Sequence, residues 1–298
     1  MSNSTVGFIG LGRMGWPMAH NLATAGFSMV VHDAQAGVAE RFATEHGAVA
    51  ATQAEDFAGA DTVVTMLPNG QIVQESLLRW TGGVASFLHD GAVIIDMSSS
   101  SPTDTLQLAE QVAPHGVHVV DAPVSGGVPR AVSGELSLMV GGEPEDIASV
   151  EPVLDVLGDP ARRFTSGRLG AGHAMKAMNN YVAAATYVAT AEALIIGQQY
   201  GLSAAAGIDV INTSTGRSFV SEVVFGEIIS GRYSTGFLLG LLAKDVGIAR
   251  ALADAAGVDA PMSALVDERW SQALAALGGD RDHSEAYKAW WDASLTAN

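Results

Sequence analysis

Residues Val6 to Pro17 read VGFIGLGRMGWP, a run of apolar strand formers that breaks into glycines and then into a helical pattern. Gly10, Gly12 and Gly15 fit G-x-G-x-x-G. In that pattern the first glycine permits a tight turn, the second lets backbone approach a pyrophosphate, and the third lets the helix pack close to its strand. A helix starting near Arg13 aims its amide groups and the positive end of its dipole at the phosphates. Glycine-rich turns that bind nothing share this triplet, so its setting matters. A strand candidate (Val6 to Ile9) precedes it, and a periodic helix (Met14, Met18, Leu22, Ala25) follows. A second strand, Ser28 to His32, then ends on Asp33. An acidic residue roughly 20 positions beyond the glycines is placed to accept hydrogen bonds from the adenosine ribose and to repel a 2′-phosphate. Ala34, Gln35, Ala36 and Gly37 supply no arginine. NAD is expected over NADP. The alternatives are Asp33 as an ordinary turn or cap residue and Arg13 as a phosphate ligand.

Outward from this stretch, strand and helix signals alternate in the manner of βαβ units. Thr62 to Leu67 is an apolar strand ending in Pro68, Asn69 and Gly70. Ala92 to Asp96 runs into Met97 and four serines, Ser98 to Ser101, before Pro102 opens a helix. Val117 to Val120 ends at Asp121. Ligands of open α/β sheets gather beyond the carboxyl ends of strands, so Pro68, Ser99 and Asp121 point to one crevice. The serines also suit a helix N-cap, and their hydroxyls hint at a polar substrate. After Asp121, Ser125, Gly126 and Gly127 offer a hydroxyl and consecutive unhindered amides, which suits a carboxylate. A plain turn explains the glycines equally well. An apolar strand, Leu136 to Val140, follows.

Beyond Gly167 strand signals stop. An alanine-rich stretch from Leu169 through Ile196 reads as one helix of about 30 residues, too polar at its start (His173, Lys176, Asn179, Asn180) to span a membrane and expected to join two domains. Lys176 and Asn180 stand four apart on one face. A lysine flanked by Met175, Ala177 and Met178 is partly desolvated, which lowers its pKa and favours proton exchange near neutrality; the plainer alternative is a packed stem with a solvated charge. Helices are expected over Ala204 to Thr213, Val220 to Ile229, Leu238 to Ala256, Ala260 to Leu277 and Ser284 to Leu295, punctuated by glycines. The fold class is therefore α/β: a Rossmann-type doubly wound sheet over 1–166, then an all-α domain over 167–298, joined by the long helix.

Composition narrows the alternatives. A chain of 298 residues exceeds what one core usually supports. The absence of cysteine removes disulfides, thiolate nucleophiles and cysteine metal sites, and no His and carboxylate cluster has ligand spacing, so no metal is expected. A net charge of −17 argues against nucleic acid and anionic membrane. The chain opens on a strand without the charged leader of a signal peptide, so a cytoplasmic protein is expected. Against that charge an anionic substrate needs local positive groups, and the only lysines are Lys176, Lys244 and Lys288.

FIGLGRMGWPMAHNL at Phe8 to Leu22, DAPVSGG at Asp121 to Gly127, GAGHAMKAMNN at Gly170 to Asn180 and the pair Lys244, Asp245 together are highly specific. Over nearly its full length the chain resembles the β-hydroxyacid dehydrogenase family, the group of 3-hydroxyisobutyrate dehydrogenase and tartronate semialdehyde reductase. The resemblance implies an active site in the cleft between the two domains. Lys176 would be the general acid/base, with Asn180 orienting it and the substrate, and Ser125, Gly126 and Gly127 would bind the substrate carboxylate. Leu67 and Pro68 would line the adenosine side, and Ser99 and Lys244 would approach the nicotinamide; Ser99 stands where the family has threonine, which keeps the hydroxyl. Leu11, Arg13, Met14 and Ile72 complete the cofactor set with Gly10, Gly12, Gly15 and Asp33. The implied substrate is a small anionic β-hydroxy acid, with hydroxyisobutyrate, tartronate semialdehyde, threonate and sulfolactaldehyde chemistry all open. A homodimer or homotetramer is implied. The rivals are a 6-phosphogluconate dehydrogenase, an imine reductase and a non-catalytic dinucleotide-binding module. The first calls for a longer helical domain and a basic pocket, and the second typically has another residue where Lys176 stands.

Overall fold

The computed structural model describes residues 4–296, and the chain divides into two compact units, Met1–Lys176 and Ala177–Asn298. In the first unit β1 (Thr5–Ile9), α1 (Gly15–Thr24), β2 (Ser28–His32), α2 (Val38–His46), β3 (Val49–Ala50), β4 (Thr62–Thr65), α3 (Gly70–Leu78), β5 (Val93–Asp96), α4 (Pro102–Val112) and β6 (His118–Asp121) follow one another. The strands form a parallel sheet in the order β3-β2-β1-β4-β5-β6. β2 and β4 lie on opposite flanks of β1, so the chain reverses its winding there and the loops leaving β1 and β4 part to form a crevice.

Side chains alternate across the strands, and both faces are covered. Phe8, Val64 and Ile95 join Met18, Leu22 and Phe42 in one core, while Ile9, Val63 and Ile94 join Phe57, Leu77 and Leu108 in the other. Burial on both sides is why these strands read as continuous apolar runs. The six strands read from the sequence agree with the structure to within two residues at their ends, the largest difference being β4, which stops at Thr65.

Three strands were not legible: the two-residue β3 and, beyond β6, those at Val124–Ser125 and Gly158–Gly167. After β6 come β7 (Val124–Ser125), α5 (Gly127–Ser133), β8 (Leu136–Gly141), α6 (Pro144–Ser149), α7 (Glu151–Leu157) and β9 (Gly158–Gly167). β8 runs antiparallel to β6 and β7 and parallel to β9. β9 contains Pro160, Arg162 and Arg163 and is mostly exposed beyond Gly158. An edge strand tolerates proline and needs no apolar face, so it carries no hydrophobic alternation to detect.

The long helix, α8 (Ala171–Gln199), starts in the first unit and continues into the second. The second unit adds α9 (Ala204–Asn212), α10 (Phe225–Ile229), α11 (Leu239–Ala255), α12 (Pro261–Leu277) and α13 (Ala286–Thr296). The expected helix from Val220 begins instead as a π-helical turn, Val220–Val224, before α10. Its core is aromatic. The Tyr187 ring centroid lies 5.0 Å from those of Phe225 and Trp270 and 5.6 Å from that of Trp290, a set of edge and tilted contacts favoured by ring quadrupoles. The Tyr187 hydroxyl donates to the Ser284 carbonyl at 2.8 Å and accepts from the Tyr287 amide at 3.2 Å.

His283 is buried beside this cluster, with Nδ1 3.1 Å from the Phe237 carbonyl. Burial pushes its pKa below the usual 6.5, against the opposing pull of that carbonyl and of Asp282. Folding thus favours the neutral ring. Above pH 6.5 the ring is neutral folded or unfolded and nothing is lost; as pH falls from there through the lowered folded value, the unfolded chain takes up the proton first and stability declines. We expect Tm to fall over this window and the fall to be shallower in His283→Gln, as read by thermal melts at stepped pH. Equal slopes in the two proteins would remove His283 as the cause.

Candidate cofactor and active site

The glycine-rich loop joins β1 to α1. Gly10 has φ +99°, a conformation that side chains disfavour, and a methyl group on it would stand 2.8 Å from Leu67 Cδ2. A methyl group on Gly15 would overlap the Gly10 carbonyl oxygen and crowd Phe8. A methyl group on Gly12 would meet nothing within 4 Å. The backbone at Gly12 therefore borders open space at the start of a helix, where amides lack partners within the helix. That cradle fits a dinucleotide pyrophosphate. Arg13 is exposed, Met14 half-buried and Leu11 buried.

Asp33 sits directly after β2, and its carboxylate is already engaged. Oδ2 accepts from the Leu11 amide at 2.7 Å and Oδ1 from the Gln35 amide at 2.8 Å. The turn reading of this residue and its position at the glycine loop both hold. Leu67 is half-buried, Pro68 exposed and Ile72, in the first turn of α3, 40% exposed. Asn69 caps α3 by accepting the Ile72 amide at 2.9 Å.

The serine run after β5 is mainly structural, which removes its hint of a polar substrate. Ser98 is buried and its Oγ accepts the Leu67 amide at 2.9 Å. Ser100 donates to Asp96 Oδ2 at 2.6 Å, and Ser101 caps α4 through the Asp104 amide at 3.1 Å. Ser99 is the half-buried member.

Asp96, Asp121 and His173 form a buried cluster; the sequence placed Asp121 at the ligand crevice and His173 at the polar start of the long helix, without linking them. Asp121 Oδ1 accepts the Gly170 amide and Oδ2 the His173 amide, each at 2.7 Å. The carboxylate at the end of β6 thus caps the start of α8 from far away in the chain, a favourable place for a negative charge. Burial raises the pKa of Asp121, and His173 with the two amides pulls it back down. Gly172 fits because a methyl group there would overlap the Met139 carbonyl and approach Asp121 Oδ2 at 2.8 Å.

Ser125 is half-buried in β7, and Gly126 and Gly127 after it are exposed, with φ of +129° and +65°. The Arg130 stem covers Gly126, its Cδ 2.5 Å from where a methyl group on that glycine would lie. This brings a guanidinium close to the loop, a neighbour the sequence reading omitted. Lys176 is half-buried; Ala177 is 2% exposed and Met175 49%, so the expected apolar flank is open on the Met175 side.

In the second unit Asn180 donates from Nδ2 to Asp245 Oδ2 at 2.6 Å, and Lys244 Nζ lies 3.0 Å from Asp245 Oδ1. Asp245 is 2% exposed. A buried carboxylate thus fixes the Asn180 carboxamide and partners Lys244. Asp245 was noted only as half of a motif, because a link over 65 residues has no local signature. Among the described residues no group of three or more His, Asp or Glu side chains is placed to hold a metal ion, and no helix is long and apolar enough to cross a membrane.

Residues 5–167 match the NAD binding domain of 6-phosphogluconate dehydrogenase, and residues 170–290 match the NAD-binding domain of NADP-dependent 3-hydroxyisobutyrate dehydrogenase. The 2-(hydroxymethyl)glutarate dehydrogenase of Eubacterium barkeri is 38% identical, covering 96% of this chain and 94% of that enzyme. The NAD-dependent L-serine dehydrogenase of Pseudomonas aeruginosa is 34% identical over 95% of this chain and 96% of its own. The solved structure of Mycobacterium tuberculosis 3-hydroxyisobutyrate dehydrogenase with L-serine superposes with a TM-score of 0.85 at 32% identity, covering 96% of this chain and 99% of that one. With its glycine loop, its parallel sheet and both domains matched, the chain belongs to the β-hydroxyacid dehydrogenase family of NAD-binding oxidoreductases.

Proposed function

We propose that the chain oxidises the hydroxymethyl group of a small 2-substituted 3-hydroxypropanoate to the semialdehyde, and catalyses the reverse, with Lys176 as general acid/base. The observation that carries this reading is the stripe of α8 that holds a half-buried Lys176 four residues before an Asn180 whose orientation buried Asp245 sets. Three compounds named in the relatives, 2-(hydroxymethyl)glutarate, 3-hydroxyisobutyrate and L-serine, share one element: a hydroxymethyl group on the carbon that bears the carboxylate. They differ only in the third substituent on that carbon.

In this reading the Ser125 hydroxyl and the Gly126 and Gly127 amides hold the carboxylate, with Arg130 adding charge. Lys176, neutral at the start of oxidation, takes the hydroxyl proton at Nζ and returns it to the developing alkoxide in reduction. The nicotinamide, when bound, exchanges a hydride with the carbinol carbon. Gly10, Leu11, Gly12, Arg13, Met14 and Gly15 hold the pyrophosphate end, Leu67, Pro68 and Ile72 the adenosine side, and Ser99 and Lys244 the nicotinamide end. The negative charge of Asp33 favours NAD over NADP.

The test is oxidation of 3-hydroxyisobutyrate, L-serine, 2-(hydroxymethyl)glutarate and glycerate with NAD⁺ and, in parallel, NADP⁺, followed by NADH or NADPH absorbance. Turnover of at least one with NAD⁺ is expected. Tight NADH binding with no turnover of any would reject the substrate class. The exposed apolar side chains Val182, Ile196 and Val210 of the helical unit support a homodimer or homotetramer; light scattering should give two or four times the chain mass of 30.7 kDa, and a monomer at assay concentration would refute it.

A further inference from the structure

His173 lies one helical turn before Lys176 on the same side of α8, and its ring is fully buried between two carboxylates. Nε2 is 3.7 Å from Asp96 Oδ2 and Nδ1 is 3.6 Å from Asp121 Oδ2. Its hydrogen bonds go elsewhere. Nε2 faces the Ser98 carbonyl at 3.1 Å, and a carbonyl only accepts. Nδ1 faces Thr105 Oγ1 at 2.7 Å, and that hydroxyl also lies 3.0 Å from the Ser101 carbonyl. Both ring nitrogens are thus held, Nε2 by a carbonyl and Nδ1 by a hydroxyl. Its backbone amide is held by Asp121 as well. One residue therefore ties α8 to the loop after β5, to α4 and to the end of β6.

We propose that His173 is the positioning residue for Lys176: through Ser98, Thr105 and Asp121 it locks the first turn of α8 in rotation and height, and so fixes where the amine one turn later is presented. A surface helix start has rotational play, whereas a ring anchored at both nitrogens and at its backbone has none to spare. A displacement of about 1 Å at a reacting group costs on the order of 10²-fold in rate, so a lock of this kind acts on turnover and not on ligand affinity. The inference rests on the reading of Lys176 as the proton carrier.

The chain has three lysines, Lys176, Lys244 and Lys288, so the protein grown with Cε-labelled lysine gives one signal for each, assigned by single Lys→Arg changes. In His173→Leu the Lys176 signal should move toward the position of a solvated lysine while that of Lys288 stays. With the panel compound turned over best, kcat should fall on the order of 10²-fold, with KM and NADH affinity unchanged. A merely structural role would lower Tm and disturb kcat, KM and NADH binding alike, and that result, or an unmoved Lys176 signal with unchanged kcat, overturns the proposal. If His173→Leu fails to fold, Thr105→Val removes only the hydroxyl at Nδ1 and is read by the same two measurements. Full turnover in Lys176→Ala would sink the proton-carrier reading and the positioning role with it. An inactive Lys176→Ala beside a fully active His173→Leu sinks the positioning role alone.

Discussion

Lys176→Ala is expected to lower kcat by about 10²- to 10⁴-fold, the usual worth of a placed general acid or base, with NADH affinity unchanged. The expectation follows from division of labour along the chain. The proposed dinucleotide cradle draws on the loops after β1, β2 and β4, whereas Lys176 lies on α8. Lys176→Arg should fail as well, because a guanidinium stays protonated at any working pH and cannot accept the hydroxyl proton. A steady-state measurement with titrated NADH fluorescence separates the two effects. A kcat within threefold or so of wild type would assign the proton to another group, and a parallel loss of NADH binding would show that Lys176 holds the cofactor instead.

The second large effect is a contrast between two glycines three residues apart. Gly15→Ala places a methyl group into the Gly10 carbonyl, backbone against backbone, with no flexible side chain to give way. We expect a stability loss of about 1–3 kcal/mol, the range for overpacking, with weaker NADH binding because the loop must shift. Gly12→Ala meets no protein atom within 4 Å, so its melt should match wild type. Its methyl group projects into the open space beside the helix start, and NADH affinity should fall about tenfold or more, equivalent to about 1.4 kcal/mol. Equal melts for the two variants would contradict the packing role of Gly15. An unchanged NADH affinity in Gly12→Ala would place the pyrophosphate elsewhere.

What could be read from the sequence was what short segments decide by themselves. β1, β2 and β4 to β6 are buried on both faces and announce themselves as apolar runs, and the glycine loop has two residues, Gly10 and Gly15, whose backbone or packing demands only glycine meets. α8 was legible because its apolar stretch is too long for anything else. β9, with Pro160 and two arginines on a mostly exposed edge, carries no such pattern, and β7 is too short to have one. The site divided along the same line. Lys176, Asn180 and Ser125 sit in recognisable local strings, yet Asp245, Arg130 and the group of Asp96, Asp121 and His173 matter through partners that the fold alone brings within reach. Ser98, Ser100 and Ser101 show the reverse error: a conspicuous string whose hydroxyls serve Asp96, the Leu67 amide and a helix cap.

The two hydrogen bonds made by Asp33 carry a consequence for how cofactor choice can evolve. The side chain proposed to stand against a 2′-phosphate is also a strut between the second strand and the glycine loop, through the Leu11 amide. A lineage drifting toward NADP would give up that strut with the same substitution that removes the charge, and would lose loop order before it gained a phosphate ligand. On that proposal cofactor preference is guarded by an uphill first step, and a successful switch needs a new acceptor for the Leu11 amide as well as a basic residue among Ala34 to Gly37.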